Sequence, residues 1–161
     1  VNRVGYPSSE HITQHSQWAQ KVDELLQSDT QVYIEIEPEF NTSSNSLTIE
    51  TTTEILESIS APLSLNVILT ESHIIAYQTD YDADPQEIAD YEHNHVMRKS
   101  LTGSWGVDLG QSDYNNGDVI SNTFSLTLNE NWVVENMSVV AFVSNTNSYQ
   151  VIQAEETYII E

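Results

Sequence analysis

Apolar and polar residues alternate with period two along most of the chain, beginning at Gln31. Such alternation puts successive side chains on opposite faces and is typical of a strand with one buried face. Pro38 is expected to end the first strand, because proline cannot donate to a hydrogen-bonded ladder. The side chains expected to face inward are Val32, Ile34, Ile36, Leu47, Ile49, Thr51, Thr53, Ile55, Leu63, Leu65, Val67, Leu69, Ile120, Phe124, Leu126 and Leu128.

Polar turn clusters at residues 41–46 and 115–118 separate these runs. Residues 137–143 are apolar on both faces, which predicts a central strand covered from both sides. Residues 146–148 are expected to close a hairpin to the last strand. About seven short strands predict a mainly β fold, an antiparallel immunoglobulin-like β-sandwich. The term describes architecture alone, since the Cys and Trp spacing of true immunoglobulin domains is absent.

Residues 1–29 follow a different pattern, and a helix is predicted from Ser9 to Ser28. Six side chains are spaced to share one side of that helix: Ile12, His15, Trp18, Val22, Leu25 and Leu26. Ser8 or Ser9 is expected to cap its start, because a serine oxygen satisfies the first helical N–H groups. Trp18 is expected to be a core or docking residue. We therefore place a boundary after residue 29, with the β-sandwich over residues 30–161.

Residues 79–117 are predicted to be irregular, and they contain the most distinctive segment of the chain. Tyr91-x-His93-Asn94-His95-Val96-x-Arg98, followed by Leu101-x-Gly103, resembles the signature of a Bacteroidetes outer-membrane lipoprotein family. That family is named for an outer membrane protein of about twenty-eight kilodaltons. The flanking residues 70–71, 76–78, 138–143 and 151–155 resemble it as well.

This resemblance implies a thioredoxin-like domain followed by a β-sandwich, with residues 1–29 as the closing strand and helix of the former. It implies a place at the outer membrane or cell surface, on the extracellular or periplasmic side, and an adhesin or receptor-like role. The family typically carries a lipoprotein signal, so the start at Val1 is interpreted as processed or truncated. The members of the structural signature are Tyr91, His93, Asn94, His95 and Arg98.

The chain is strongly acidic, since 25 Asp and Glu residues against four Lys and Arg give a formal net charge of −21. This charge excludes some classes of binding partner. Nucleic acids need Lys and Arg contacts to their phosphates, and an anionic membrane surface repels such a chain. Neither is expected as a partner. No run of ~18 apolar residues occurs, so no transmembrane segment is expected. With no cysteine, the chain has no disulfide, thiolate catalyst or zinc–thiolate site.

His93 and His95 are candidate zinc ligands, because alternation would put both imidazoles on one face of an extended segment. Zinc would need a third protein ligand. The nearest candidates are Asp90, Glu92 and His73. The other interpretation is a structural pair that hydrogen-bonds a long loop to the sandwich. Arg98 is expected to anchor carboxylates or backbone, since a planar guanidinium suits two-pronged ion pairing.

Asp80, Asp82 and Asp84 have the carboxylate spacing of calcium loops, and calcium takes about six to eight oxygen ligands. Pro85 and Tyr91 stand where an EF-hand loop has its Gly and its closing Glu. A site here would therefore be of another type. Two interpretations stay open, a calcium site without the EF-hand form and a solvated acidic loop. No other cofactor is expected.

No nucleophile elbow, phosphate-binding loop or dinucleotide fingerprint occurs in the chain, so we expect a protein that is not an enzyme. The predicted function is a non-enzymatic binding or scaffold module that meets a protein or glycan partner at the cell surface. The first alternative is an accessory domain of a thioredoxin-like redox protein. A hydrolase using a pair of carboxylates is the second.

Overall fold

The computed structural model describes residues 3–5, 8 and 12–160. A short 3₁₀ turn at His15–Gln17 leads into the helix α1, and ten strands come after it. The helix and strands are α1 (Trp18–Leu26), β1 (Val32–Asn41), β2 (Ser46–Ile55), β3 (Leu63–Glu71), β4 (Ile74–Thr79), β5 (Glu87–His93), β6 (Val96–Ser100), β7 (Val107–Asp108), β8 (Val119–Thr127), β9 (Met137–Asn145) and β10 (Val151–Tyr158).

The strands form three antiparallel sheets. One has the order β1-β2-β8, and a second has the order β10-β9-β3-β6, with β7 also paired to β3. The third contains only β4 and β5. The mainly β fold with one N-terminal helix is therefore confirmed.

The core lies between the two larger sheets, and period-two alternation selects its members. In β2 every second side chain is buried, and in β1 the same holds for the first three alternating positions. The facing strands β3 and β9 contribute most of the other half. The fully buried apolar side chains include Val32, Leu47, Ile49, Ile55, Leu63, Leu65, Val67, Leu69, Met137, Val139, Ala141 and Val143.

The strand β9 is central, as its two apolar faces predicted. It lies between β3 and β10, and its register pairs Val143 with Leu65 and Ala141 with Val67. On the other face, Val140 is half-buried. Because both neighbours satisfy its backbone groups, β9 can be apolar on both sides without offering an open edge.

Pro38 does not end the first strand, and that prediction is wrong. It lies inside β1, opposite Ile49 of β2. The strand β1 is an edge of its sheet, so one side of its backbone has no ladder partner there. Proline lacks an N–H, and at a position whose nitrogen points to that open side no ladder hydrogen bond is lost.

The helix is shorter than predicted. It begins at Trp18, its N-cap residue is Gln17, and the Gln17 side chain makes no capping hydrogen bond. Ser8 donates to the carbonyl of Gly5 instead, and Ser9 lies outside the described residues. None of the helix residues is buried, and Trp18 is 56% exposed, so the core role considered for it is wrong.

The strand expected before the helix falls largely outside the described residues. Of residues 1–7, the structure describes residues 3–5, which form a turn. Within the described part of the chain, no helix is long and apolar enough to cross a membrane.

The prediction of an irregular stretch over residues 79–117 is also wrong. Three strands, β5, β6 and β7, lie within it, and the signature segment spans the first two of them. The sequence shows no alternation of apolar and polar residues in β5, because β5 has no buried residue. A strand that buries neither face leaves no apolar period in the sequence.

Replacing Thr53 with Val is expected to stabilise the protein. Thr53 is fully buried, and its hydroxyl has no hydrogen-bond partner in the described part of the chain. An unsatisfied buried polar group costs about 1–3 kcal/mol, so a methyl of similar shape should raise the free energy of unfolding by about 1 kcal/mol. Urea unfolding measures the change.

Thr51→Val is the matched control, because Thr51 is equally buried but its hydroxyl donates to the carbonyl of Asn122 at 3.4 Å. Its replacement should stabilise the protein less. Equal gains for the two variants would show that the Thr53 hydroxyl is satisfied in solution.

Candidate functional site

One long hairpin, rather than a loop, carries the signature segment. The ladder between β3 and β6 ends with Glu71 opposite Val96, and the ladder between β4 and β5 begins with Ile74 opposite His93. Between them two residues interrupt each strand. We call these four residues the elbow, namely Ser72, His73, Asn94 and His95. Residues 74–93, beyond the elbow, are called the arm.

At the elbow, hydrogen bonds from backbone N–H groups to side-chain oxygens replace the ladder. The N–H of His73 donates to Asn94 Oδ1, and the N–H of His95 donates to Ser72 Oγ, both at 3.1 Å. Each polar side chain thus satisfies the backbone of the opposite strand. The two histidines have φ values of 61° and 54°, in the left-handed region that few non-glycine residues adopt. The pairing therefore passes from one sheet to the next without leaving these N–H groups unsatisfied.

The imidazole rings have separate neighbours. His73 Nδ1 lies 2.6 Å from Glu92 Oε1, and His95 Nε2 lies 3.3 Å from Glu156 Oε1. The ring of His93 meets that of Tyr91 edge-on, with centroids 4.8 Å apart. His95 is outside any strand, so the extended segment that would align the two candidate zinc ligands is not formed.

Beside the elbow lies a buried carboxylate. Glu71 is 3% exposed. Arg98 Nε donates to Glu71 Oε2 at 2.7 Å, and the N–H of Val133 donates to Glu71 Oε1 at 3.0 Å. Both oxygens therefore have a partner, and the carboxylate joins the end of β3 to β6 and to the loop before β9. Sequence reasoning missed Glu71, since a single Glu at the end of an apolar run gives no signal of burial.

The arm is the most exposed part of the sandwich. Among the described strands, β4 and β5 pair only with each other, and no residue from 74 to 93 is buried. Ile75 and Tyr77 are 58% and 55% exposed, and alternation puts them on one face. Tyr91, 42% exposed, lies opposite Ala76 and hence on the other face. Both faces of the arm thus display exposed apolar groups.

The tip of the arm holds the three candidate calcium ligands. The N–H of Asp82 donates to Asp80 Oδ1 at 3.0 Å, and the N–H of Asp80 donates to the carbonyl of Gln86 at 2.9 Å. Over residues 3–5, 8 and 12–160, no three His, Asp or Glu side chains are grouped to hold a metal ion. The structure therefore does not bring Asp80, Asp82 and Asp84 together, and calcium binding stays a prediction.

Carboxylates do face each other elsewhere. Glu37 of β1 lies opposite Glu50 of β2, and both side chains are exposed. Like charges in this position repel and weaken a sheet.

Burial raises the pKa of the Tyr114 phenol, whose oxygen accepts a hydrogen bond from the N–H of Gln111. The absence of enzymatic activity stays a prediction.

Comparisons with known proteins give one family. The family model described as outer membrane protein Omp28 matches residues 1–161. Among solved structures, the chain is similar to a domain of the outer membrane lipoprotein Omp28 from Porphyromonas gingivalis, with 19% identity and a TM-score of 0.55. That match covers 80% of this chain and 95% of the other.

A second similar structure is Spo0M, a sporulation control protein from Bacillus subtilis, with 11% identity and a TM-score of 0.50. It covers 80% of this chain and 47% of the other. At these identities the two structures show a shared fold alone. No curated protein matches the chain.

Replacing Arg98 with Met should destabilise the protein by about 3 kcal/mol, because it leaves the buried Glu71 carboxylate without its ion-pair partner. The double variant Arg98→Met with Glu71→Gln should lose less, since no buried charge remains. Urea unfolding of the single and double variants measures the coupling.

Lys21→Met is the control for this experiment, because it breaks the exposed pair of Lys21 and Glu24. It should change the free energy of unfolding little, as exposed ion pairs usually do. A loss in Arg98→Met no larger than in Lys21→Met would contradict the role assigned to Arg98.

Proposed function

Since the chain belongs to the outer membrane protein Omp28 family, we propose that it is a non-enzymatic binding module of the cell surface. Membership confirms the resemblance of the signature segment and the expected location at the outer membrane or cell surface. The proposal is that the arm binds a partner protein, and the observation that carries it is the exposure of apolar side chains on both faces of the arm.

The arm needs a partner for a physical reason. A two-stranded sheet alone is marginally stable in water at best, because it has no third strand or core to cover its apolar groups. A surface that packs against one face would bury Ile75 and Tyr77, and a surface that packs against the other would bury Tyr91. Aromatic side chains are enriched at protein interfaces, where they bury a large area and keep a polar end in water.

Charge indicates which kind of partner fits. Residues 74–93 carry six carboxylates and no Lys or Arg. The carboxylates are those of Asp80, Asp82, Asp84, Glu87, Asp90 and Glu92. A complementary surface therefore combines an apolar patch with Lys or Arg around it. A second copy of this chain, at −21, repels the first, and nucleic acid and anionic lipid carry the wrong charge.

The elbow supports the same function. Its two reciprocal hydrogen bonds connect the arm to the end of the ladder between β3 and β6. A binding element that is fixed before association loses less conformational entropy when it binds. The signature residues Asn94 and His95 therefore act by positioning the arm, in keeping with the structural role expected of them.

A photoreactive amino acid at Ile75 or at Tyr77, in the full-length protein on intact cells, should form cross-links to one partner protein with a basic surface. Raising the salt concentration should weaken them, because the Debye length falls from about 8 Å at 0.15 M to about 3 Å at 1 M. The readout is the cross-linked product identified by mass spectrometry.

Val119 on β8 is the matched control, since it is apolar and 59% exposed but lies away from the arm. Cross-links of the same pattern from Val119 would contradict the proposal. Cross-links to another part of the same chain would also contradict it, because the arm would then be covered within the protein.

A second candidate function, an accessory domain of a thioredoxin-like redox protein, is supported by the helix. Trp18, Val22 and Leu26 are 56%, 44% and 78% exposed and share one side of α1. A helix of nine residues is marginal in water unless its apolar side is covered. We propose that a neighbouring domain covers it, as the boundary after residue 29 implies. A cysteine pair in such a domain of the full-length protein would support the redox alternative.

Substitutions on the apolar side of α1 should affect the stability of residues 1–161 and the stability of the full-length protein differently. In residues 1–161, Trp18→Ala and Leu26→Ala should change the free energy of unfolding by less than about 0.5 kcal/mol, as surface changes usually do. In the full-length protein, the same changes should lower the melting temperature if α1 packs against another domain. Small changes in both proteins would contradict docking of the helix.

A further inference from the structure

We propose that a pocket on the outer face of the five-stranded sheet binds a sugar ring that carries a carboxylate. The pocket has a volume of about 250 Å³. Its described lining residues are Arg3, Ser64, Trp105, Ser144, Thr146 and Tyr149. Pockets for drug-sized ligands measure roughly 300–1,000 Å³, so this one suits a single small ring. None of its residues belongs to the arm, and the inference is independent of the protein partner proposed above.

An aromatic pair forms one wall of the pocket. The rings of Trp105 and Tyr149 have centroids 5.1 Å apart and are tilted by 53°. Trp105 is 60% exposed, so the indole offers a flat apolar surface to a ligand. The C–H groups on one face of a sugar ring pack on such a surface, which exposed aromatic side chains provide at low entropic cost.

The backbone after Trp105 holds this wall against the sheet. Gly106 has a φ of 84°, and a Cβ atom at this position would lie 2.7 Å from the carbonyl oxygen of Leu65. Glycine therefore lets the loop approach β3 more closely than any other residue would. On the other side, Thr146 donates from its N–H and its hydroxyl to the carbonyl of Pro62, at 3.0 and 3.2 Å.

Buried hydroxyls form the floor. Ser64 and Ser144 face each other across β3 and β9, are 3% and 4% exposed, and have their Oγ atoms 3.1 Å apart. Two hydroxyls carry two hydrogens, and this contact uses one of them. The second hydrogen has no acceptor among the described residues. It can be donated to a sugar hydroxyl, and the remaining lone pairs can accept from one.

Arg3 supplies the charge. The described lining residues include this guanidinium and no carboxylate, in a chain with 25 acidic residues and four Lys or Arg. Its Cζ atom lies 5.3 Å from the centroid of the Phe142 ring, a contact that holds the cation over the sheet. A guanidinium pairs with a carboxylate through two parallel hydrogen bonds. An apolar ring face, hydroxyls and an acid group occur together in a uronic acid.

Titration with D-glucuronate, D-glucose and acetate, monitored by the indole N–H signals in ¹H–¹⁵N spectra, tests the inference. Glucuronate should shift the Trp105 signal, and glucose should bind about tenfold more weakly because it lacks the carboxylate. In the Trp105→Ala chain, binding is followed by the backbone N–H signals of Ser64 and Tyr149, and glucuronate should bind about tenfold more weakly through the lost ring contact. Arg3→Gln should make glucuronate no better than glucose.

Trp18→Ala is the matched control, since Trp18 is exposed to a similar degree but lies on the helix, and it should bind glucuronate as the parent chain does. An unshifted Trp105 signal at the solubility limit of glucuronate would overturn the inference. An equal shift with acetate would overturn it too, because the sugar ring would then contribute nothing. The thermal transition of each variant checks that it is folded.

Discussion

The ion pair of Glu71 and Arg98 is the interaction on which the shape of the molecule depends. Glu71 is the one charged residue among the buried residues that the structure describes. Taking a carboxylate out of water costs several kcal/mol unless every lone pair has a partner. Arg98 and the N–H of Val133 must therefore be in place, which ties β3, β6 and the loop before β9 at one end of the sandwich.

The elbow, which begins directly after Glu71, explains why the hairpin continues beyond the core. The ladder stops there, yet Ser72 and Asn94 satisfy the N–H groups that the break would leave unpaired. The strands can then pair again as β4 and β5, where no second sheet faces them. Apolar side chains such as Ile75 and Tyr77 therefore remain in water. A partner protein would remove this exposure.

The two proposed binding surfaces differ in charge. The arm carries carboxylates alone, whereas the pocket beside Trp105 contains Arg3 and, among its described lining, no carboxylate. In a chain at −21 the acidic surface needs no special explanation, since most surface positions are acidic or neutral. A cation held over the sheet by Phe142 is the exception, and it selects a ligand of opposite sign.

The sequence by itself determined the strands between Val32 and Leu69, because a strand that buries one face has alternating apolar and polar residues. It also determined the central position of β9, because a strand covered on both faces is apolar on both. The fold class and the family resemblance could also be predicted from the sequence, because both depend on residues that are close together along the chain. Only the tertiary structure decided the rest. Glu71 is buried by partners far along the chain, and Trp105 and Tyr149 meet from different loops. The signature forms strands because β5 pairs with β4 and β6 pairs with β3, and alternation within one segment does not encode these contacts with other segments.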